Sequence, residues 1–162
     1  MQTNILEYLE KTAARVPDKT AYADDKTALT FREVYENSRS IGSFLSARGI
    51  YREPVVVFMK KTPAAVAAFF GAVYGGDFYV PLDDEMPRYR MELIFETLQA
   101  RAVICDEKTR KVMEQLQFEG EIFLYEDMIR HPEDPEALGR IRSQALDIDP
   151  KDVVFTSGST GV

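Results

Sequence analysis

Cysteine is nearly absent from this chain. Cys105 stands alone among 162 residues, so no disulfide can close within the chain and no multi-cysteine metal site can be built. A reducing, cytoplasmic setting is the default expectation. Long apolar runs are missing too. The most apolar stretch, Ala64 to Tyr74, has 11 residues, where a bilayer span needs about 20; it reads as a buried helix. The N-terminus, from Met1 to Glu7, has no basic segment followed by an apolar one, so no signal peptide is expected. Positive charge is in deficit, with 20 Lys and Arg against 27 Asp and Glu and a net charge of −7. Such a surface repels nucleic-acid phosphates and anionic lipids, which argues against nucleic acid or membrane as a partner. Any nucleotide site here must be made favourable to anions locally. Neither a Gly-x-x-x-x-Gly-Lys-Ser/Thr loop nor a Gly-x-Gly-x-x-Gly turn after a predicted strand occurs, which leaves out the two commonest phosphate-binding fingerprints. There is no internal repeat and no low-complexity segment.

What is present suits one soluble globular domain over residues 1–162. Hydrophobic residues make up 45% and charged residues 29%, and the length is enough for a real core. Ile5, Leu9, Thr12, Ala13 and Val16 share a face at helical spacing, which predicts a helix from about Asn4 to Val16, stopped by Pro17. Thr20–Ala23 and Ala28–Thr30 read as short strands around Asp24-Asp25-Lys26. Thr30-Phe31-Arg32-Glu33 is a capping box, opening a helix that Gly49 ends. An alternation follows. Strands are expected at Val55–Met59, Phe78–Leu82, Ala102–Cys105 and Ile122–Tyr125. Helices are expected at Pro63–Tyr74, Pro87–Leu98 and Glu107–Leu116, with a further helical stretch around Pro135–Ala145 and a last strand at Val153–Thr156. This order predicts an α/β fold, a mainly parallel sheet of βαβ units with helices on both faces. Ligands of such sheets sit at the carboxyl ends of the strands.

The last strand runs into Thr156-Ser157-Gly158-Ser159-Thr160-Gly161. Glycines let a backbone turn sharply and bring its N–H groups to an anion. The hydroxyls of Thr156, Ser157, Ser159 and Thr160 can donate to phosphate oxygens, and one of them could serve a Mg²⁺ ion. The same residues also suit a flexible linker. Elsewhere the residues suggest structure. Cys105 reads as a small buried hydrophobe, His131 as part of a surface loop, and Phe69-Phe70 and Phe78-Tyr79 as core.

Three blocks resemble the adenylate-forming superfamily, which holds acyl-CoA synthetases, luciferases and the adenylation domains of nonribosomal peptide synthetases. Phe155 to Gly161 is similar to the opening of that family's signature loop, which continues with one variable residue and then Pro-Lys-Gly. Leu29 to Val34 resembles its Leu-Thr-Tyr-x-Glu-Leu segment. Val73 to Asp83, with Pro87 and Arg90, resembles its Gly-Gly-x-Tyr-Val-Pro-Leu-Asp…Pro-x-x-Arg segment, in the form found in amino-acid-activating members such as peptide synthetase adenylation domains and D-alanine–carrier-protein ligases. Asp77 departs from the small residue usual at its place, and Asp84-Glu85-Met86 from the usual Pro and aromatic.

The resemblance implies an ATP-dependent ligase that turns a carboxylic acid, here an amino acid, into an acyl-adenylate for transfer to a carrier-protein phosphopantetheine or coenzyme A thiol. It implies that Thr156, Ser157, Gly158, Ser159, Thr160 and Gly161 hold the nucleotide phosphates, with Mg²⁺ as companion ion. It implies a mainly architectural role for Gly75, Gly76, Pro81 and Arg90, with Arg90 paired to a carboxylate such as Asp83. The chain stops at Val162, before the loop's lysine. It is therefore expected to be an N-terminal piece of an adenylation domain with no catalytic residue of its own and little or no ATP binding. A sheet cut short in this way also suggests a non-catalytic scaffold that self-associates.

Overall fold

A computed structural model describes residues 4–145. The expected strand Val153–Thr156 and the loop after it lie outside the described residues. Helix α1 (Asn4–Arg15) turns Leu6, Leu9 and Ala13 inward. Strands β1 (Thr20–Ala23) and β2 (Ala28–Thr30) pair as an antiparallel hairpin. The Asp24 carboxylate holds its turn, accepting from the backbone N–H groups of Thr27 at 2.6 Å and Lys26 at 2.9 Å. These bonds stabilise the charged form and keep its carboxyl below the usual range. Helix α2 (Phe31–Ala47) opens with the expected capping box, Glu33 N–H to Thr30 Oγ1 at 3.1 Å and Thr30 N–H to Glu33 Oε1 at 2.8 Å. Gly49 follows in the left-handed region at φ +74°.

Among the described residues four parallel strands make the sheet: β3 (Pro54–Phe58), β4 (Phe78–Leu82), β5 (Ala102–Cys105) and β6 (Glu121–Leu124), in the order β4-β3-β5-β6. Helices α3 (Pro63–Tyr74), α4 (Arg88–Leu98) and α5 (Glu107–Gln115) connect them. Then come the short α6 (Tyr125–Met128) and α7 (Pro135–Gln144). Alternate residues of each strand feed opposite layers, as a period of two requires. Val55, Val57, Ala102 and Ile104 pack on α2 and α3. Val56, Phe58, Val80, Val103 and Cys105 pack on α4 and α5. A third cluster joins α1, α2, α3 and α7 through Leu9, Val34, Phe70, Tyr74 and Leu138. The expected parallel sheet with helices on both faces is what the chain forms.

Two strands end one residue earlier than expected. The strand expected at Val55–Met59 runs Pro54–Phe58, with Met59 buried just beyond it. The strand expected at Ile122–Tyr125 ends at Leu124, because Tyr125 begins α6. Its buried ring joins the layer under α2, and its hydroxyl accepts from Asn37 Nδ2 at 3.1 Å.

One polar tie crosses the α1/α3/α7 junction. The Arg142 guanidinium donates to both Glu10 carboxylate oxygens, at 2.9 and 3.0 Å, and the Tyr74 hydroxyl donates to Glu10 Oε2 at 2.8 Å. Burial pushes the Glu10 carboxyl up, but the bonds from Arg142 and Tyr74 outweigh it and hold the group below its ordinary range. Glu10→Ala strands the buried Tyr74 hydroxyl and the half-buried Arg142 guanidinium and should cost about 2 kcal/mol. Urea titration of Glu10→Ala, Arg142→Ala and the double variant checks this; the double should cost less than the two singles summed.

Candidate functional site

The carboxyl ends of neighbouring parallel strands make a natural ligand position, because the chain diverges there and leaves a crevice. In this protein β3 leaves the sheet into Met59-Lys60-Lys61, and β4 leaves it into Asp83. Between them stands the N-terminus of α3, where Pro63 occupies the first turn and Thr62 Oγ1 accepts from Ala65 N–H at 3.3 Å. The tip of the β1–β2 hairpin closes one side. The result is an open cleft of about 660 Å³, with Val57, Met59, Phe69 and Pro81 as an apolar floor and Asp24, Lys61 and Asp83 at the rim. The Phe69 and Tyr79 rings stack at 4.6 Å between centroids and 21° between planes, stiffening that floor. Beside it, Asp84 has its carboxyl raised, by desolvation first and then by the hydrogen bond and charge of Asp83, while Lys60 pulls it the other way.

The nucleotide-binding residues expected from the sequence, Thr156, Ser157, Gly158, Ser159, Thr160 and Gly161, lie outside the described residues. The structure places the other singled-out groups. Gly75 and Gly76 sit at the amino ends of the strands, far from the cleft. Gly76 has φ +81°, and a Cβ there would meet Tyr51 at 2.6 Å, so glycine is required by both conformation and space. Pro81 lines the cleft. Arg90 does not pair with Asp83. Its Nε and Nη2 are buried without a hydrogen-bond partner, while Asp83 Oδ1 accepts from Glu85 N–H at 2.9 Å. Asp83 sits in the turn before α4, and its carboxylate bonds the backbone of that turn. Cys105 is buried, and desolvation drives its thiol up to about 12, which suits an inert core residue. His131 packs edge-on against Phe44 at 5.5 Å.

Sequence reasoning missed two features. Phe69 is floor of the cleft as well as core, a fact that depends on where the hairpin folds over. Asp77 is buried in the fold, only 2% exposed, although it directly follows the helix stop at Gly75-Gly76. Among the described residues no group of three or more His, Cys, Asp or Glu is placed to hold a metal ion. No described helix is long and apolar enough to cross a membrane.

The family model for AMP-binding enzymes matches residues 9–162, nearly the whole chain. The chain belongs to the AMP-binding enzyme family. Within that family it is similar to a D-alanine–D-alanyl carrier protein ligase of Listeria monocytogenes, 29% identical over 166 aligned residues that cover 99% of this chain and 32% of the ligase. It is 24% identical to tyrocidine synthase 1 of Brevibacillus parabrevis over 98% of this chain and 14% of that protein. A solved anthranilate CoA ligase, in complex with anthranoyl-AMP, superposes with a TM-score of 0.78 at 22% identity over 94% of this chain and 31% of that one; at that identity the likeness speaks for the fold. The chain spans about a third of the length of the D-alanine ligases it matches.

Proposed function

We propose that residues 1–162 form the N-terminal part of the adenylation domain of an ATP-dependent ligase. The reaction is activation of a carboxylic acid, an amino acid, as its acyl-adenylate, followed by transfer to a phosphopantetheine or coenzyme A thiol. In the first step a carboxylate oxygen attacks the α-phosphorus of ATP. The new C–O–P link forms as the bridging oxygen leaves with pyrophosphate. Two anions must meet, so the protein's contribution is positioning and stabilisation of charge.

The single observation that carries this reading is the order of the three sequence blocks, Leu29–Val34, Val73–Asp83 and Phe155–Gly161, along a chain aligned end to end with amino-acid-activating relatives. On this reading the phosphates are held by the hydroxyls of Thr156, Ser157, Ser159 and Thr160 and the backbone N–H groups of Gly158 and Gly161. A net charge of −7 makes such local donors necessary, because the overall field repels ATP. Mg²⁺ ordinarily binds through substrate phosphates and one or two carboxylates. The amino-acid side of the reading rests on the Val-Pro-Leu-Asp form of the second block and on the D-alanine ligase relatives.

Spanning a third of its relatives' length, the chain holds part of such a site. Millimolar MgATP should therefore move its melting temperature by roughly 1 °C or less, since ligand at its Kd adds only about 0.4 kcal/mol. Differential scanning fluorimetry checks this. A rise of several degrees would mean a self-sufficient nucleotide site and would contradict the proposal that this chain is a partial one.

A further inference from the structure

Helix α7 lies beside the amino ends of β3 and β4, where Asp77 is buried. We propose that α7 is a pH-operated lid, shut while Asp77 is a neutral acid and lifted to admit water when Asp77 ionises.

Three observations carry this. First, Asp77 has no means of holding a charge where it lies. It is 2% exposed. One oxygen accepts from Glu53 N–H at 3.0 Å, and Oδ2 has no hydrogen-bond partner. A carboxylate so placed must keep its proton, gain a donor or reach water. The cations on the surrounding elements are already taken. The start of β3 brings Glu53, a like charge, whose carboxylate accepts from Arg101 Nε at 2.8 Å. Arg52, next to it, has a partner of its own. Tyr74 at the end of α3 donates to Glu10. After α2, Arg48 pairs with Glu121. From α7, Arg140 pairs with Glu136 at 3.3 Å and Arg142 with Glu10.

Second, a route for water lies under α7. An open cavity of about 130 Å³ has Ala137, Ile141 and Gln144 of α7 on one side and Ser46, Tyr51 and Gly75 on the other. At roughly 30 Å³ each, a few waters fit. Gly75 is shared. It lines the cavity, and Asp77 Oδ2 lies 3.1 Å from where a Cβ on Gly75 would stand.

Third, α7 is lightly held on this side. The Tyr51 hydroxyl donates to Gln144 Oε1 at 3.2 Å, and Ile141 Cγ2 rests on Gly76, where a Cβ would come within 2.9 Å of it. The stronger anchors, Leu138 in the core and the Arg142–Glu10 tie, join α7 to α1 and α3. Ile141 and Gln144 can therefore lift while the core stays packed.

The direction follows from the proton. Burial first, and the Glu53 charge second, push the carboxyl up to about 8, against the Glu53 backbone bond. The closed form keeps a proton that a hydrated Asp77 releases near pH 4, so the lid is shut below pH 8 and opens above it.

The test is methyl NMR on the full chain, because methyl protons do not exchange with water. Between pH 6.5 and 9.5 the Ala137 and Ile141 methyl signals should move toward random-coil positions with a midpoint near 8. Those of Val56, Val103 and Ile104 in the sheet should hold still, and Asp77→Asn should show no such movement. Tyr51→Phe removes the bond to Gln144 and should lower the midpoint by about half a pH unit, because a weaker lid makes ionisation easier. Stationary Ala137 and Ile141 signals would overturn the proposal. The same movement in Asp77→Asn, loss of every methyl signal together, or an unchanged midpoint in Tyr51→Phe would overturn it as well. So would Arg140 turning in to pair with Asp77 under a shut lid, seen as a shift of its side-chain signals alone.

Discussion

Replacing Asp77 by asparagine should make the protein more stable at pH 8 by about 2–3 kcal/mol, or roughly 5–10 °C in melting temperature, and should make little difference at pH 4. Asp77 is 2% exposed. One carboxylate oxygen accepts from Glu53 N–H at 3.0 Å, fastening the start of β3 to the start of β4. The other, Oδ2, has no hydrogen-bond partner and lies near Gly75. Desolvation is the main reason its carboxyl is pushed up to about 8, the Glu53 backbone bond opposes this, and the Glu53 charge adds to it. The folded chain thus keeps a proton that the unfolded chain releases near pH 4. The stability this proton brings is fully present below about pH 4 and is lost as pH rises through 8. Each pKa unit is worth about 1.4 kcal/mol, so a charged Asp77 costs the fold several kcal/mol. Asparagine keeps the acceptor for Glu53 N–H and cannot ionise. Thermal melts of both proteins across pH 4–8 check the claim, and taking their difference removes oppositely directed groups such as Glu10. A difference that does not change with pH would mean Asp77 is paired or hydrated in solution.

The second large effect is expected at Gly71. Helices α2 and α3 touch through glycines. A Cβ on Gly71 would lie 2.4 Å from Ile41 Cγ2 and 2.6 Å from Ile41 Cβ, and one on Gly42 would lie 2.7 Å from Tyr74 Cβ. Ile41 is fully buried and β-branched, so the methyl has nowhere to go without parting the helices. Alanine would gain about 1 kcal/mol of helix propensity in α3, but overpacking of a close-packed core costs about 1–3 kcal/mol and valine should cost more. We expect Gly71→Ala to destabilise, with the loss largely absent in an Ile41→Ala background where the space has been opened. Guanidinium titrations of the two singles and the double give the coupling. Additive losses would show that Gly71 matters for some reason other than contact with Ile41.

Legibility from sequence followed the range of each interaction. The Thr30–Glu33 capping box spans three residues and was readable in full. So was the βαβ alternation, because Val55–Phe58 and Ala102–Cys105 are apolar on both faces while Glu107–Gln115 has a helical stripe. Tyr125 reads as strand because an aromatic after Ile122-Phe123-Leu124 continues the pattern, whereas in the fold it begins α6 and its hydroxyl bonds Asn37, 88 residues away. The Glu10–Arg142 tie, 132 residues apart, and the burial of Asp77 have no local signature. The same holds for the cleft, whose floor comes from β3, α3 and β4 and whose side comes from a hairpin much earlier in the chain. The resemblance pairs Arg90 with a carboxylate such as Asp83, yet Asp83 Oδ1 accepts from Glu85 N–H in its own turn. The phosphate-loop assignment rests on motif and family, since its residues lie outside the described ones.

Amino-acid-dependent ATP–pyrophosphate exchange tests the central claim most directly. It should be run on the product of the whole open reading frame that carries this sequence and, in parallel, on the 162-residue chain. We predict exchange above background with an amino acid for the whole product, its loss when Gly158 is changed to valine, and background rates for the 162 residues alone. No exchange by the whole product with any amino acid, or exchange by the 162 residues alone, would contradict it.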